Sequence, residues 1–184
     1  MADGVKTFIV EEKNISDDMD IAIRDGLVES FPLDVEYFSK QSWWHSRPQW
    51  RTLAQDDKGQ VVGHIAIVIR EVLVGVDLVP VKVAGIQSLF VCQKMQGTSL
   101  SDRLMKIAMR RADEQGLEAG FLFCIPELEK VYGSMGWQKI DADVLMKDEK
   151  GNTVSIPGKN ITMMYPLKRK DFPVGDVDIA GEDW

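Results

Sequence analysis

Three kinds of apolar pattern follow one another along this chain, and the changes between them mark its elements. Alternating or continuous apolar runs predict strands over Val5 to Glu12, Gln49 to Gln55, Val61 to Val74 and Leu78 to Cys92. Asp56-Asp57-Lys58-Gly59 and Gly75-Val76-Asp77 form the turns between the last three. Met19, Ile23 and Leu27 repeat every four residues in an acidic helix over Ile15 to Glu29, and Phe31-Pro32-Leu33-Asp34 breaks it before a short second helix over Val35 to Ser39. Gln41 to Pro48 holds Trp43, Trp44 and His45 without a period and reads as a loop. The turn Gln96-Gly97-Thr98-Ser99-Leu100-Ser101 then opens a helix reaching about Gln115, with Leu100, Leu104, Ile107, Ala108 and Ala112 on one face. Gly116 suits its C-terminus, Gly120 to Cys124 is short enough for a buried strand, and Pro126 opens a short helix ending at Met135. Val144 to Met146, Val154 to Ile156 and Ile161 to Tyr165 supply terminal strands around turns at Glu149-Lys150-Gly151-Asn152 and Pro157-Gly158. Asp171 to Trp184 is an acidic tail that either docks through Phe172 and Trp184 or stays loose.

Consecutive antiparallel strands followed by helix, strand, helix and more strands predict an α+β fold. With 184 residues, 45% of them hydrophobic, the chain buries a full core as one domain over 1–184, with its body at about 5–167 and an acidic tail at 168–184. The sequence has no 18-residue apolar span, and Met1-Ala2-Asp3-Gly4 does not read as a signal peptide, so a cytoplasmic protein without a membrane partner is expected. A net charge of -7 argues against nucleic acid and suits a cationic acceptor. Cys92 and Cys124 fit neither a metal spacing nor a disulfide framework, and no metal is expected.

Chemistry concentrates between Leu89 and Gly136. A strand feeding a turn at a helix start leaves backbone N–H groups unpaired where the helix dipole adds positive charge, and a pyrophosphate fits there. The turn, the second strand and Tyr132-Gly133-Ser134-Met135-Gly136-Trp137 together resemble the GNAT superfamily of acyl-coenzyme A N-acyltransferases, whose pattern is Arg/Gln-x-x-Gly-x-Gly/Ala followed by Tyr-x-x-x-Gly-Phe/Trp. Gln96 takes the Arg/Gln position, while Ser99 and Ser101 stand where the family has glycine and Gly/Ala. A second register places Lys94 and Gly97 in the first two positions and Ser99 in the last. The plain alternative is an ordinary helix capped by Ser99 or Ser101.

The resemblance implies a mostly antiparallel twisted sheet of six to seven strands, flanked by about four helices, with the fourth and fifth strands splayed around the acyl-pantetheine arm. It implies acetyl-CoA as donor, held by the backbone of Leu89, Phe90 and Val91 and by Gln96, Gly97, Thr98, Ser99, Leu100 and Ser101. It also implies Tyr132 as the acid that protonates departing coenzyme A, against the alternative of a packed helix tyrosine. The family's fourth-strand carboxylate is missing from Gly85 to Leu89, so a base acting through water is sought at His64, His45 or Glu29. Trp43, Trp44, His45 and Glu29 line an acceptor cleft, or the aromatic residues pack the second helix against the sheet. Patchier likenesses to aminoglycoside 2'-N-acetyltransferases and rhizobial nodulation N-acyltransferases point to a small primary amine as acceptor, such as an amino sugar or aminoglycoside. A homodimer is one admissible assembly. The alternatives are a non-catalytic acyl-CoA-binding module, or a donor carried on acyl carrier protein and docked on Lys94, Arg103, Lys106, Arg110 and Arg111, which otherwise form a solvated helix face.

Overall fold

The computed structural model of the protein describes residues 4–156, 158 and 160–184. The expectations at Met1, Ala2, Asp3 and Pro157 lie outside the described residues. The chain divides into two compact units, Met1–Val68 with Gln87–Ala108, and Ile69–Ile86 with Met109–Trp184.

In the first unit, β1 (Lys6–Glu11) pairs antiparallel with β2 (Trp50–Gln55), and β2 pairs antiparallel with the first half of β3 (Val61–Val74). Asp56 closes the β2–β3 hairpin by accepting the N–H groups of Lys58 and Gln60, and Gly59 takes φ +76°, which glycine adopts without a Cβ penalty. Helix α1 (Asp17–Ser30) starts where the Ser16 hydroxyl accepts the Met19 N–H, and Asp17, Asp18 and Asp20 complement the positive end of its dipole. Its Ile23 and Leu27 are fully buried with Phe38 of α2 (Val35–Phe38), Leu53 of β2 and Phe90 of β4 (Val79–Val91). Burial of such side chains supplies about 1.5–3 kcal/mol each, which a 14-residue helix needs because it is marginal alone. Gly26 is where α1 meets this core, since a Cβ there would stand 2.2 Å from Phe90 Cζ.

Helix α3 (Leu100–Glu114) buries Leu100, Leu104, Ala108 and Ala112 as its period requires. Ile107 is only half-buried, and Met105 and Met109 complete the stripe in its place.

In the second unit, β5 (Ala119–Cys124) lies parallel to β4, from Val83↔Ala119 to Ile86↔Leu122, and antiparallel to β9 (Ile161–Pro166). The parallel pair is joined through α3, the long crossover such pairing demands. β6 (Gln138–Ile140) adds to the far side of β9. Beyond β3, β10 (Val177–Asp178) pairs with Leu73 and Val74 and runs parallel to β7 (Val144–Lys147), which ends in a hairpin with β8 (Thr153–Ser155). Helix α4 (Glu129–Ser134) follows a 3-10 turn at Pro126–Leu128.

Ten strands are present among the described residues, against the six to seven that the resemblance implies: the eight runs read from the sequence, and β6 and β10, which are too short to carry a period. The tail is docked. Val177 and Ile179 are fully buried, and Trp184 packs on Phe121 and Phe123 with the Arg70 guanidinium 5.2 Å from its ring. Gly85 makes room for it, since a Cβ there would meet the indole at 2.4 Å. Among the described residues, no helix is long and apolar enough to cross a membrane.

Candidate active site

The end of β4 is bent by one residue. Ser88 has φ +54°, a left-handed conformation that non-glycine residues avoid inside a strand, and bonds on either side hold it there. Its carbonyl accepts a 2.8 Å hydrogen bond from Nδ1 of His64 on β3, and its hydroxyl donates to Oε1 of Gln87 at 3.3 Å. Gln87 in turn accepts the Trp44 N–H and donates to the Ser46 carbonyl at 2.7 Å. Sequence reasoning missed this cluster, although two adjacent polar residues in an apolar strand could have signalled it, because buried polar groups need partners.

Beyond the bend, Leu89 and Val91 are half-buried and Phe90 is 3% exposed. The Phe90 ring is committed to the core, stacked on His64 at 5.8 Å, so this residue has only its backbone to offer a ligand.

His64 itself is wholly inside. Burial first, and the Arg51 charge second, lower its pKa from 6.5 to about 3, outweighing the bond to Ser88. It is neutral at physiological pH, with the proton on Nδ1 because a carbonyl only accepts. Its Nε2 has no hydrogen-bond partner among the described residues. A proton acceptor with so low a pKa is a poor match for an ammonium, which weighs against the base expected at this position.

The turn after β4 is exposed from Gln96 to Ser99 and contains two left-handed residues, Gly97 (φ +77°) and Ser99 (φ +60°). The Arg103 N–H closes the first α-helical turn on the Ser99 carbonyl. The N–H groups of Leu100, Ser101 and Asp102 therefore precede the first intrahelical bond, and the helix supplies them no acceptor. A Cβ on Gly97 would meet nothing within 4 Å, so this turn is open toward solvent. A turn with these features can hold an anion, and Asp102 within it is engaged by Lys106 at 2.7 Å.

The aromatic loop proves to be structural on one side. Trp44 packs on Tyr37 and Phe38 at 4.9 and 4.7 Å, tying α2 to the end of β4. Trp43 lies beside two guanidinium groups, Arg47 at 5.5 Å and Arg51 at 5.4 Å. Arg51 is fully buried, makes a forked pair with Glu12 at 2.8 and 3.1 Å, and donates to the carbonyl and hydroxyl of Ser42. The Ser42 hydroxyl also bonds Asp20 on α1. Sequence reasoning missed this network, although an arginine inside the strand Trp50 to Gln55 demanded a buried carboxylate. His45 is exposed at the loop tip and Glu29 is exposed near the end of α1.

Tyr132 stands on α4 in the second unit, its ring edge-on to Trp137 at 6.3 Å. Burial, then the neighbouring Cys124, push its pKa up to about 12, so the phenol keeps its proton. Trp137 is buried where Gly120 of β5 lets it approach, a Cβ there standing 2.9 Å from the indole.

The basic residues considered for carrier docking are mostly engaged. Lys94 pairs with Asp56 at 2.7 Å, Lys106 with Asp102, Arg110 with Glu114 at 3.9 Å, and Arg103 donates to the Val5 carbonyl.

Comparison with known proteins gives the same fold. The model of the acetyltransferase (GNAT) domain matches residues 26–148. Among solved structures, a GNAT family N-acetyltransferase from Escherichia coli in complex with CoA is 16% identical, with a TM-score of 0.62 over 96% of this chain and 89% of that one. A GNAT acetyltransferase from Staphylococcus aureus is 16% identical, with a TM-score of 0.56 over 89% of this chain and 100% of that one. An acyl-CoA N-acyltransferase from Pseudomonas aeruginosa is 14% identical, with a TM-score of 0.61 over 88% and 99%. No curated protein matches the chain. With residues 26–148 carrying the family's pattern, from within α1 through β7, this chain belongs to the GNAT acetyltransferases, enzymes that move an acyl group from coenzyme A to nitrogen.

Proposed function

We propose that the chain transfers an acetyl group from acetyl-CoA to a primary amine of a small molecule, an amino sugar such as an aminoglycoside being the class its acidic surface suits. The observation that carries this reading is the turn at Gln96–Ser101. Ser99, at the position where the family pattern has glycine, takes a left-handed conformation of the kind glycine adopts freely, which supports reading this turn as the phosphate turn. The amides of Leu100 and Ser101 then face the pyrophosphate, and the groups of Leu89, Phe90 and Val91 pair with pantetheine as an added strand would.

The neutral amine attacks the thioester carbonyl, the oxyanion is held by a backbone N–H at the end of β4, and collapse releases the coenzyme A thiolate. Tyr132 gives that thiolate its proton and recovers one from the nitrogen, through water, once the amide has formed. Its raised pKa keeps the phenol protonated at neutral pH. Deprotonation of the incoming ammonium is left to water and to the exposed His45 or Glu29. The exposed side chains of the aromatic loop meet the acceptor, and the net charge of -7 favours a cationic one.

A thermal-shift comparison of acetyl-CoA, a longer acyl-CoA and acyl carrier protein tests the donor, because a bound donor at about 100 times its Kd stabilises the fold by roughly 2.7 kcal/mol. Stabilisation by acetyl-CoA, followed by acetylation within a panel of amino sugars and polyamines, is the expected result. Binding without transfer to any amine would make the chain a non-catalytic acyl-CoA module. Tyr132→Phe should lower the transfer rate about 10²-fold or more while acetyl-CoA affinity stays near wild type. An unchanged rate removes Tyr132 from the reaction.

A further inference from the structure

His64 is the one fully buried histidine of the chain, and the acid–base chemistry above does not use it. What it holds is specific. Nδ1 donates to the carbonyl of the residue at which β4 turns left-handed, and its ring stacks on the side chain two residues further on. Gly63, beside it on β3, permits the approach, since a Cβ there would stand 2.9 Å from Leu104 Cδ1 and 3.4 Å from the Phe90 carbonyl. On the other side of the bend, Gln87 fixes the Ser88 hydroxyl. The Leu89, Phe90 and Val91 backbone thus follows a bend tied to His64 and Gln87 and is held further by the packing of Phe90 on Gly26 of α1 and by the Cys92 N–H bond to the Val62 carbonyl at 3.0 Å.

We propose that His64 is a positioning residue for the acyl donor: its bond to the Ser88 carbonyl latches the bend in β4 and so aims the outward-facing backbone groups of Leu89–Val91 at pantetheine and the thioester. This rests on the donor reading given above. A left-handed serine costs about 1–2 kcal/mol and returns to extended backbone unless something opposes it. Straightening at Ser88 would rotate the following amides, because side-chain and amide directions alternate along a strand. A neutral imidazole serves as the latch because it brings a donor into the core without a charge. The buried guanidinium of Arg51 nearby opposes protonation of the ring and keeps the latch in one form.

The test uses the full chain, with acetyl-CoA and free CoA as probes. His64→Asn places an amide donor near the position of Nδ1, whereas His64→Leu keeps the bulk and loses the donor. The expected result is acetyl-CoA affinity within about threefold of wild type for His64→Asn and about tenfold or more weaker for His64→Leu. A role that merely fills space would not predict two further readouts. The 15N spectrum of wild type should show His64 as the Nδ1–H tautomer throughout about pH 5 to 8. The Leu89–Val91 amide resonances should shift further in His64→Leu than in His64→Asn, since both variants lose the ring current of the imidazole stacked on Phe90 and only the first loses the donor. If His64→Leu does not fold, His64→Asn decides alone: near-wild-type affinity supports the latch, and a tenfold loss overturns it. Equal affinities in all three proteins, equal losses in both variants, or an Nε2–H tautomer in wild type overturn it while leaving the donor site standing. A wild-type protein that binds neither acetyl-CoA nor CoA removes the donor site and the latch together.

Discussion

Ser88 and Ser99 share one backbone conformation, φ +54° and +60°, in opposite surroundings. Ser88 is 5% exposed and fixed from both sides, its carbonyl by His64 and its hydroxyl by Gln87. Ser99 is exposed, and among the described residues its side chain makes no hydrogen bond. The same penalty of about 1–2 kcal/mol is thus offset at Ser88 by buried polar bonds and at Ser99 by little beyond the helix it starts. The first is a bend built into the fold. The second is a turn whose geometry gains most from an anion bonding its free amides, so the proposed donor site would combine a rigid end with an adaptable one.

The largest effect should separate them directly. A β-branched side chain is strongly disfavoured at positive φ, so Ser88→Val should destabilise the fold by roughly 3 kcal/mol, because the bend cannot relax without unpairing His64 and Gln87. Ser99→Val should cost about 1 kcal/mol, since an exposed turn can rearrange, yet acetyl-CoA binding should fall sharply. Urea denaturation of the two variants beside wild type reads this difference. Equal stability losses would show that the two serines are held alike.

A smaller effect, confined to the Ser88 side, appears with pH. The His64 pKa falls from 6.5 to about 3 in the folded state, so at pH below 6.5 the unfolded chain binds the proton that the folded chain refuses. Stability is therefore fully present above pH 6.5 and declines as pH falls, with a slope approaching ~1.4 kcal/mol per pH unit. Between about pH 6.5 and 5 the carboxylates remain ionised and do not mask it. His64→Asn should remove this slope while wild type keeps it. A wild-type stability flat across that window would mean that the ring is not buried as a neutral group.

The contrast also explains what could be read in the sequence. The long periodic elements were legible because burial imposes their period: β3 spans Val61–Val74 as expected, and α1 and α3 end within about two residues of their predicted bounds. The strands β6 and β10 were not, since two or three residues hold no period and their partners are distant in sequence. In the candidate site, Gly97 and the amphipathic start of α3 announced a turn at a helix N-terminus. The bend at Ser88 had no such sign, because the usual marker of positive φ is glycine and the chain places serine there. Its conformation is set by His64 and Gln87, whose roles emerge only when β3, β4 and the aromatic loop come together. Arg51 illustrates the same limit: its type in a buried strand announced a partner, but Glu12, 39 positions away, is named only by the fold.

The smallest effect tests whether Ser99 holds any of its strain without a ligand. Glycine takes positive φ freely but raises the entropy of the unfolded chain, so Ser99→Gly should change stability by less than about 1 kcal/mol, with relief of strain and added entropy opposing each other. At the ligand the two effects no longer cancel. A Cβ-free residue lets a pyrophosphate come nearer the backbone, so acetyl-CoA affinity should rise by a few fold, about 0.5–1 kcal/mol, read by calorimetry. Ser88→Gly should do the reverse, losing the hydroxyl bond to Gln87 without improving affinity, because the bend there is already held by the protein. If both glycine variants improved binding equally, the rigid and adaptable ends of the site would be indistinguishable. If Ser99→Gly weakened it, the serine hydroxyl itself would be a phosphate ligand, and the departure from the family's glycine would be a gain in bonding rather than a tolerated loss.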